Sequence, residues 1–343
     1  MKHQGLNPTG SFKDTGMTTA ITQALILGVR TVICASTGNT AASLAAYAVR
    51  AGLQCAILIP KGQISHGKLA QSLDYGARVL EIEGNFDDCM RLARELGKDE
   101  SIYLVNSINP FRIEGQKTVA AELMEQLHWL VPDHVVVPGG NLGNCSALGK
   151  GFLELLKLGL IPRLPKLSVV QAAAAAPFAR VFGNGDVNGF VNESIPDDLL
   201  ESWPHPQTLA SAIKIGAPVS WKKALRAVVQ SAGCVITVTE DEIAGAKAMI
   251  GRDGVGCEPA SATTVAGIKR LVAAGQISPS DSVVAVLTGH LLKDTDYTIK
   301  YHRDNLFSPD RSAGKFKEER RIQATYANAP QRVKADCEQI LAQ

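Results

Sequence analysis

Short runs of β-branched and other apolar residues alternate along this chain with longer stretches whose apolar positions recur every three or four residues. Thr31–Ala35, Cys55–Pro60 and Ile102–Val105 are largely apolar on successive positions, the pattern of strands covered on both faces, and Ala77–Ile82, interrupted by Arg78 and Glu81, reads as a further strand. Between them, Thr40–Ala51, Ser65–Tyr75 and Phe86–Leu96 carry the helical period, the second stopping near Gly76. The alternation then restarts with helix Gly115–Leu127, strand His134–Pro138, helix Ser146–Leu158 and strand Leu167–Gln171. Helix Trp221–Ser231, strand Val235–Val238, helices Asp241–Gly251 and Ala260–Ala274 and strand Ser282–Leu287 complete it. Such βαβα order predicts parallel sheets flanked by helices.

The pattern divides into a smaller α/β unit over residues 17–114 and a larger one made of residues 1–16 with 115–315. Residues 183–218, rich in Gly, Asn and Pro, read as a lid or a long connection. Ala172–Ala176 reads as the opening of a buried helix. The tail over residues 316–343, with Lys317, Glu318, Glu319, Arg320 and Arg321 near its start, reads as a solvated helical end. A length of 343 residues suits two domains, and 45% hydrophobic with 20% charged residues is an ordinary globular composition. A net charge of +2 without a dense Lys/Arg block leaves no footprint for nucleic acid or an acidic membrane. Seven cysteines (Cys34, Cys55, Cys89, Cys145, Cys234, Cys257, Cys337), odd in number and without a C-x-x-C pair, point to free thiols in a reducing cytoplasm. Neither a secretory h-region nor a run of about 18 apolar residues is present in this sequence.

Candidate chemistry lies at the turns. In Lys2–Asp14, Asn7-Pro8 and Thr9-Gly10 punctuate the backbone, and Ser11 reads as the N-cap of the helix that follows. Lys13 then falls in the first helical turn, where orphan N–H groups and the positive end of the dipole disfavour an ammonium. It is either a solvated surface cation or a lysine suited to losing its proton, whose free amine condenses with a carbonyl substrate or with pyridoxal phosphate. Ser36, Thr37, Asn39 and Thr40 surround Gly38 at a helix start, where they offer donors to an anion or only cap the helix. Pro138–Ser146 holds Gly139, Gly140, Asn141, Leu142, Gly143 and Asn144, either a phosphate cradle or a tight turn. It lacks the Lys and Ser/Thr of a P-loop and a clean G-x-G-x-x-G, which favours the phosphate of a smaller cofactor over ATP or NAD. Thr288 ends an apolar strand, where its hydroxyl can hydrogen-bond a heteroaromatic nitrogen without protonating it; His290 and Lys293 read as rim residues. Arg112 follows a strand end and either clamps a carboxylate or phosphate or pairs with Glu114 or another acid.

Taken in order, these runs resemble one family. K-H-x-G-L-N-P-T-G-S-F-K-D, S-T-G-N-T, G-N-x-G-N and L-T-G-H-x-x-K-D are similar to the threonine synthases, which belong to the fold-type-II pyridoxal-phosphate enzymes with threonine dehydratase and cysteine synthase. N-P-x-R-x-x-G-Q-K-T at Asn109–Thr118 and C-E-P-A-S-A at Cys257–Ala262 narrow the likeness, which runs from residue 1 to about residue 310. The resemblance implies two parallel-sheet α/β domains of the tryptophan synthase β-like kind. It implies conversion of O-phospho-L-homoserine and water to L-threonine and phosphate with pyridoxal 5'-phosphate, by a cytoplasmic homodimer that uses no metal, nucleic acid or membrane. It also implies Lys13 as the Schiff-base lysine, Asn39 beside the ring hydroxyl and Thr288 at the pyridine nitrogen. Gly140, Asn141, Leu142, Gly143 and Asn144 would hold the cofactor phosphate. Ser36, Thr37 and Thr40 would receive the substrate carboxylate, with Asn106, Ser107 and Arg112 near the substrate phosphate.

One departure stands out. The family pattern carries a T-P-L run and a strand before the lysine motif, whereas Met1 lies only twelve residues ahead of Lys13. The N-terminus therefore reads as truncated, through a misassigned start, a fragment or a version without that strand, with a sheet edge left uncovered. Two alternatives share the lysine, the asparagine and the glycine loop: a serine/threonine dehydratase-like lyase, which needs no second phosphate site, and a catalytically silent remnant that only binds the cofactor.

Overall fold

The structure is a computed structural model that describes the chain apart from residues 63–65, 184–186, 188–193, 311–318 and 333–343 and the side chains of residues 66–68. In chain order the first elements are β1 (Lys2–His3), α1 (Lys13–Ile26), β2 (Thr31–Ala35), α2 (Asn39–Arg50), β3 (Gln54–Pro60) and α3 (His66–Asp74). There follow β4 (Arg78–Ile82), α4 (Phe86–Leu96), β5 (Ile102–Leu104), α5 (Pro110–Gln116) and α6 (Thr118–Gln126). Next come β6 (His134–Pro138), α7 (Gly143–Lys157), β7 (Lys166–Ala172), α8 (Pro177–Gly183), α9 (Trp221–Gln230) and β8 (Val235–Val238). The last are α10 (Glu240–Arg252), α11 (Pro259–Ala273), β9 (Val283–Leu287), α12 (Thr295–His302), β10 (Phe307–Pro309) and β11 (Glu319–Arg321).

Two wholly parallel sheets result: four strands in the order β4-β3-β2-β5, and five in the order β1-β9-β6-β7-β8. The apolar runs explain both. Val135, Val136 and Val137 are fully buried in β6, as are Val32, Ile57 and Ile59 in β2 and β3. Each sheet has its own core, one gathering Met17, Val32, Leu44 and Ile57, the other Leu123, Val135, Leu148, Phe152 and Val169. Between them runs the pairing of α1 with α5, where two glycines make room. A Cβ on Gly115 would come 2.0 Å from the Thr15 carbonyl oxygen, and one on Gly16 would come 2.7 Å from that of Arg112. Lys13 heads the first of these helices and Arg112 lies on the second, so this contact fixes their separation.

Local readings differ in four places. Ser11 is not the N-cap of α1: Phe12 holds that position, and the Ser11 hydroxyl accepts from the Lys13 N–H at 3.4 Å. The helix expected over 115–127 is two helices that break at Lys117, the first starting at Pro110 under an Asn109 cap. Ala172–Ala176 does not open a helix; Ala172 ends β7 and the others turn toward Pro177, which begins α8. Of the charged tail, Glu319–Arg321 is a strand paired antiparallel with β10 rather than a helix, while Lys317 and Glu318 lie outside the described residues. Among the described residues no helix is long and apolar enough to cross a membrane.

Candidate active site

The loop before α1 is shaped by a buried carboxylate. Asp14 accepts from the Thr9 N–H at 2.8 Å and from the Thr9 hydroxyl at 2.6 Å, closing the loop over Gly10, whose φ of +83° suits glycine. The same loop is fastened to the end of β9: Phe12 N–H donates to the Thr288 carbonyl and His290 N–H to the Gly10 carbonyl, each at 2.9 Å. Lys13 is thereby set beside Thr288 at the carboxyl edge of the larger sheet, where ligands bind in such folds. Its Nζ lies 4.1 Å from the centre of the Phe12 ring. Burial lowers the Lys13 pKa to about 7; the Arg112 cation pushes it the same way and Glu258 opposes both.

Across from it, the turn after β2 brings Ser36, Thr37, Asn39 and Thr40 to the start of α2. Ser36 Oγ accepts from the Gly38 N–H at 3.2 Å, and a Cβ on Gly38 would meet nothing within 4 Å, so the turn borders open space. Arg112 lies beneath this turn, only 2% exposed. Its guanidinium reaches the Val105 carbonyl at 3.4 Å and the Thr40 hydroxyl at 3.5 Å, and its Nε has no partner among the described residues. Glu114 is not its mate, since that carboxylate pairs with Lys117 and Lys150, and Arg112 enters no ion pair among the described residues. Burial brings its pKa down to about 10, which leaves it charged at neutral pH.

The glycine loop after β6 turns through Leu142, held at φ +63°, into the 15-residue helix α7. A left-handed residue just before a helix makes successive N–H groups converge at the positive end of the dipole, a concavity for an anion. A Cβ on Gly140 would come within 3.2 Å of Ala212 and Ile213, while one on Gly143 would have nothing nearer than 3.8 Å. The Asn141 amide is spent on positioning: it donates to Ser107 Oγ at 2.7 Å and accepts from the Val219 N–H at 2.7 Å. Asn106 likewise grips both backbone groups of Ala35, at 3.0 and 2.9 Å, and so anchors the turn bearing Ser36. The buried amide of Asn144 and the Oε1 of Gln116 have no partner among the described residues.

Thr288 is 4% exposed, and its hydroxyl donates to Glu258 at 2.9 Å rather than pointing an unshared proton into the site. Glu258 also receives the Asn39 amide N–H at 2.9 Å, while Asn39 Oδ1 is buried without a partner among the described residues. Ser261 completes the cluster, accepting N–H groups of Thr288 and Gly289 at 2.8 and 3.1 Å. Sequence reading gave no role to Glu258, Ser261 or Asp14. The motif C-E-P-A-S-A that holds Glu258 and Ser261 was legible, as was the run that ends in Asp14, but nothing local says that Glu258 faces a residue 30 positions on. Lys293 is not merely rim: it reaches Gln71 Oε1 at 2.5 Å, and Gln71 holds the Thr9 carbonyl at 3.0 Å.

A buried lysine held near neutrality, a helix-end anion cradle, open space over Gly38, and the unpartnered Asn39 oxygen fit a phosphorylated heteroaromatic aldehyde. The sequence model of the pyridoxal-phosphate dependent enzyme family matches residues 1–289. A threonine synthase of Methanocaldococcus jannaschii is 48% identical over 301 residues, covering 88% of this chain and 72% of that protein. One of Mycobacterium tuberculosis is 47% identical over 302 residues, covering 88% and 78%. Among solved structures, a fungal L-serine ammonia-lyase from Rhizomucor miehei superposes with a TM-score of 0.73 at 18% identity, over 88% of this chain and 91% of that one. The processed form of threonine deaminase isoform 2 from Solanum lycopersicum gives 0.71 at 20% identity, over 88% and 76%. At those identities the two structures attest the fold.

Proposed function

The chain belongs to the pyridoxal-phosphate dependent enzymes and, within them, to the threonine synthases, and from that premise we propose that it converts O-phospho-L-homoserine and water to L-threonine and phosphate. When bound, pyridoxal phosphate supplies a carbonyl for the Lys13 amine and an electron sink for charge released at the substrate Cα. We assign Gly140, Asn141, Leu142, Gly143 and Asn144 to its phosphate, Asn39 to its ring hydroxyl and Thr288 to its ring nitrogen. Lys13, kept near neutrality by burial and Arg112, takes the proton from the substrate Cα and returns protons during the later steps. Ser36, Thr37 and Thr40 receive the substrate carboxylate at the start of α2. Arg112, with Ser107, holds the substrate phosphate and steadies the charge that grows on it as the Cγ–O bond breaks. Asn106 serves by holding the turn. Water adds at Cβ once phosphate has left.

The observation that carries this reading is Arg112. A buried guanidinium without a carboxylate mate is costly to keep unless an anion joins it. A dehydratase acting on serine or threonine brings one carboxylate, whereas phosphohomoserine brings a phosphate as well. Arg112→Gln separates the readings. We expect it to bind the cofactor normally, to unfold no earlier than wild type, and to lose phosphohomoserine turnover by about 100-fold or more, the scale of one lost transition-state charge contact. Loss of stability with activity intact would make Arg112 a structural residue.

The smaller unit over 17–114 and the larger over 1–16 and 115–315 are the division we favour, each sheet belonging to one unit. A cytoplasmic setting agrees with the six described cysteines being free thiols. A homodimer agrees with Leu25, Ile26 and Leu27 at the end of α1, exposed by 49, 72 and 56%, which a second copy would cover.

A further inference from the structure

We propose that Glu258 is the positioning carboxylate of this site: it fixes which atoms Asn39 and Thr288 turn toward the cofactor ring, and it supplies the negative charge facing Lys13. The inference rests on the assignment of those three residues above. Its geometry is specific. Glu258 is 1% exposed and lies just ahead of α11, with its backbone N–H on the Gly289 carbonyl at 3.0 Å. One carboxylate oxygen takes the Asn39 N–H and the other the Thr288 O–H, both at 2.9 Å. The hydroxyl inventory fixes the direction of this chain. Ser261 Oγ already accepts two backbone N–H groups, so its single proton goes to Thr288 Oγ1 at 3.0 Å, and Thr288 passes its own to Glu258. Asn39 is left presenting Oδ1, and Thr288 a lone pair, an acceptor that suits a ring nitrogen carrying a proton and not the bare nitrogen expected from sequence, since its own proton is committed to Glu258.

The approach of the carboxylate depends on Gly289, where a Cβ would lie 2.2 Å from Glu258 Cδ. That glycine follows Thr288 directly, so one turn both presents the hydroxyl and admits the acid. The charged groups acting on Lys13 are Arg112 from α5, which favours the free amine, and Glu258, which favours the cation. Removing the carboxylate charge therefore moves proton release at Lys13 to lower pH.

The test uses holoenzyme and its absorbance rather than turnover alone. Wild type, Glu258→Gln, Glu258→Asp and Gly289→Ala are loaded with pyridoxal phosphate; its affinity and the pH midpoint of the bound chromophore are measured. Glu258→Gln keeps the size but must donate from its amide to Asn39 or Thr288, reversing one bond. We expect about tenfold weaker cofactor binding and a midpoint lower by about one unit. Glu258→Asp keeps the charge and returns the midpoint toward wild type. Gly289→Ala keeps the charge but pushes the carboxylate aside, and we expect it to weaken binding similarly; it decides the matter if the glutamine variant does not fold. Glu258→Gln, or in its absence Gly289→Ala, behaving as wild type in both affinity and midpoint overturns the proposal. A wild type that binds pyridoxal phosphate through a residue other than Lys13 instead overturns the site assignment beneath it.

Discussion

Replacing Asp14 by alanine tests whether the loop that carries Lys13 is held as described. Both carboxylate oxygens of Asp14 are committed to Thr9, and Asp14 and Thr9 are 2% and 1% exposed, so both groups are shielded from bulk water. Asp14→Ala strands one buried N–H and one buried O–H, each costing about 1–3 kcal/mol. We expect a loss near the middle of the summed range, about 4 kcal/mol. Unfolding entropy scales to about 0.7 kcal/mol/K for a chain of 343 residues, so this reads as a fall in Tm of about 6 °C. Asp14→Asn is the control. Its Oδ1 can accept from the Thr9 N–H and its Nδ2 can donate to Thr9 Oγ1, leaving only the Thr9 hydroxyl proton unplaced; about 1 kcal/mol should be lost. Circular-dichroism melts at a fixed excess of cofactor measure both. The alanine variant should also turn over slowly, because the residue after Lys13 no longer holds the turn. A change under about 1 °C in the alanine variant refutes the reasoning, as does an asparagine variant as damaged as the alanine one, which would make charge the agent.

Lys13→Met should raise the Tm of cofactor-stripped protein. Burial lowers the Lys13 pKa to about 7, below its ordinary 10.5, so folding with a charged lysine costs stability in full below pH 7, less as pH rises toward 10.5, and nothing above; the gain from methionine should follow that course. A Tm difference that is flat or grows with pH contradicts the stated burial. Gly115→Ala forces α1 and α5 apart, and we expect about 1–3 kcal/mol of lost stability with a disproportionate loss of turnover, because Lys13 and Arg112 separate. Turnover equal to wild type in a protein destabilised to that extent would show that the helix contact does not set the site.

The parallel α/β plan was legible because buried strands announce themselves: Thr31–Ala35, His134–Pro138 and Val235–Val238 have the bounds their apolar runs suggest. The lysine motif and the glycine loop were legible for a similar reason, since turns need Gly, Asn and Pro at particular backbone angles. What escaped was set by packing between distant segments. Glu258 carries no local mark of its partners, because Asn39 and Thr288 reach it only once the two sheets are placed. The pairing of Arg112 with Glu114 was plausible from spacing alone, and it fails because Lys117 and Lys150 compete for that acid. The strand at Glu319–Arg321 was invisible in a charged run whose order comes from pairing with Phe307–Pro309.

The central claim is the fate of a phosphorylated substrate at a site built around Lys13 and Arg112. Purified protein with pyridoxal phosphate, given O-phospho-L-homoserine, should release phosphate and L-threonine in equal amounts, and Lys13→Ala should release neither. Keto acid from serine or threonine with no threonine from phosphohomoserine, or full turnover by Lys13→Ala, would contradict it.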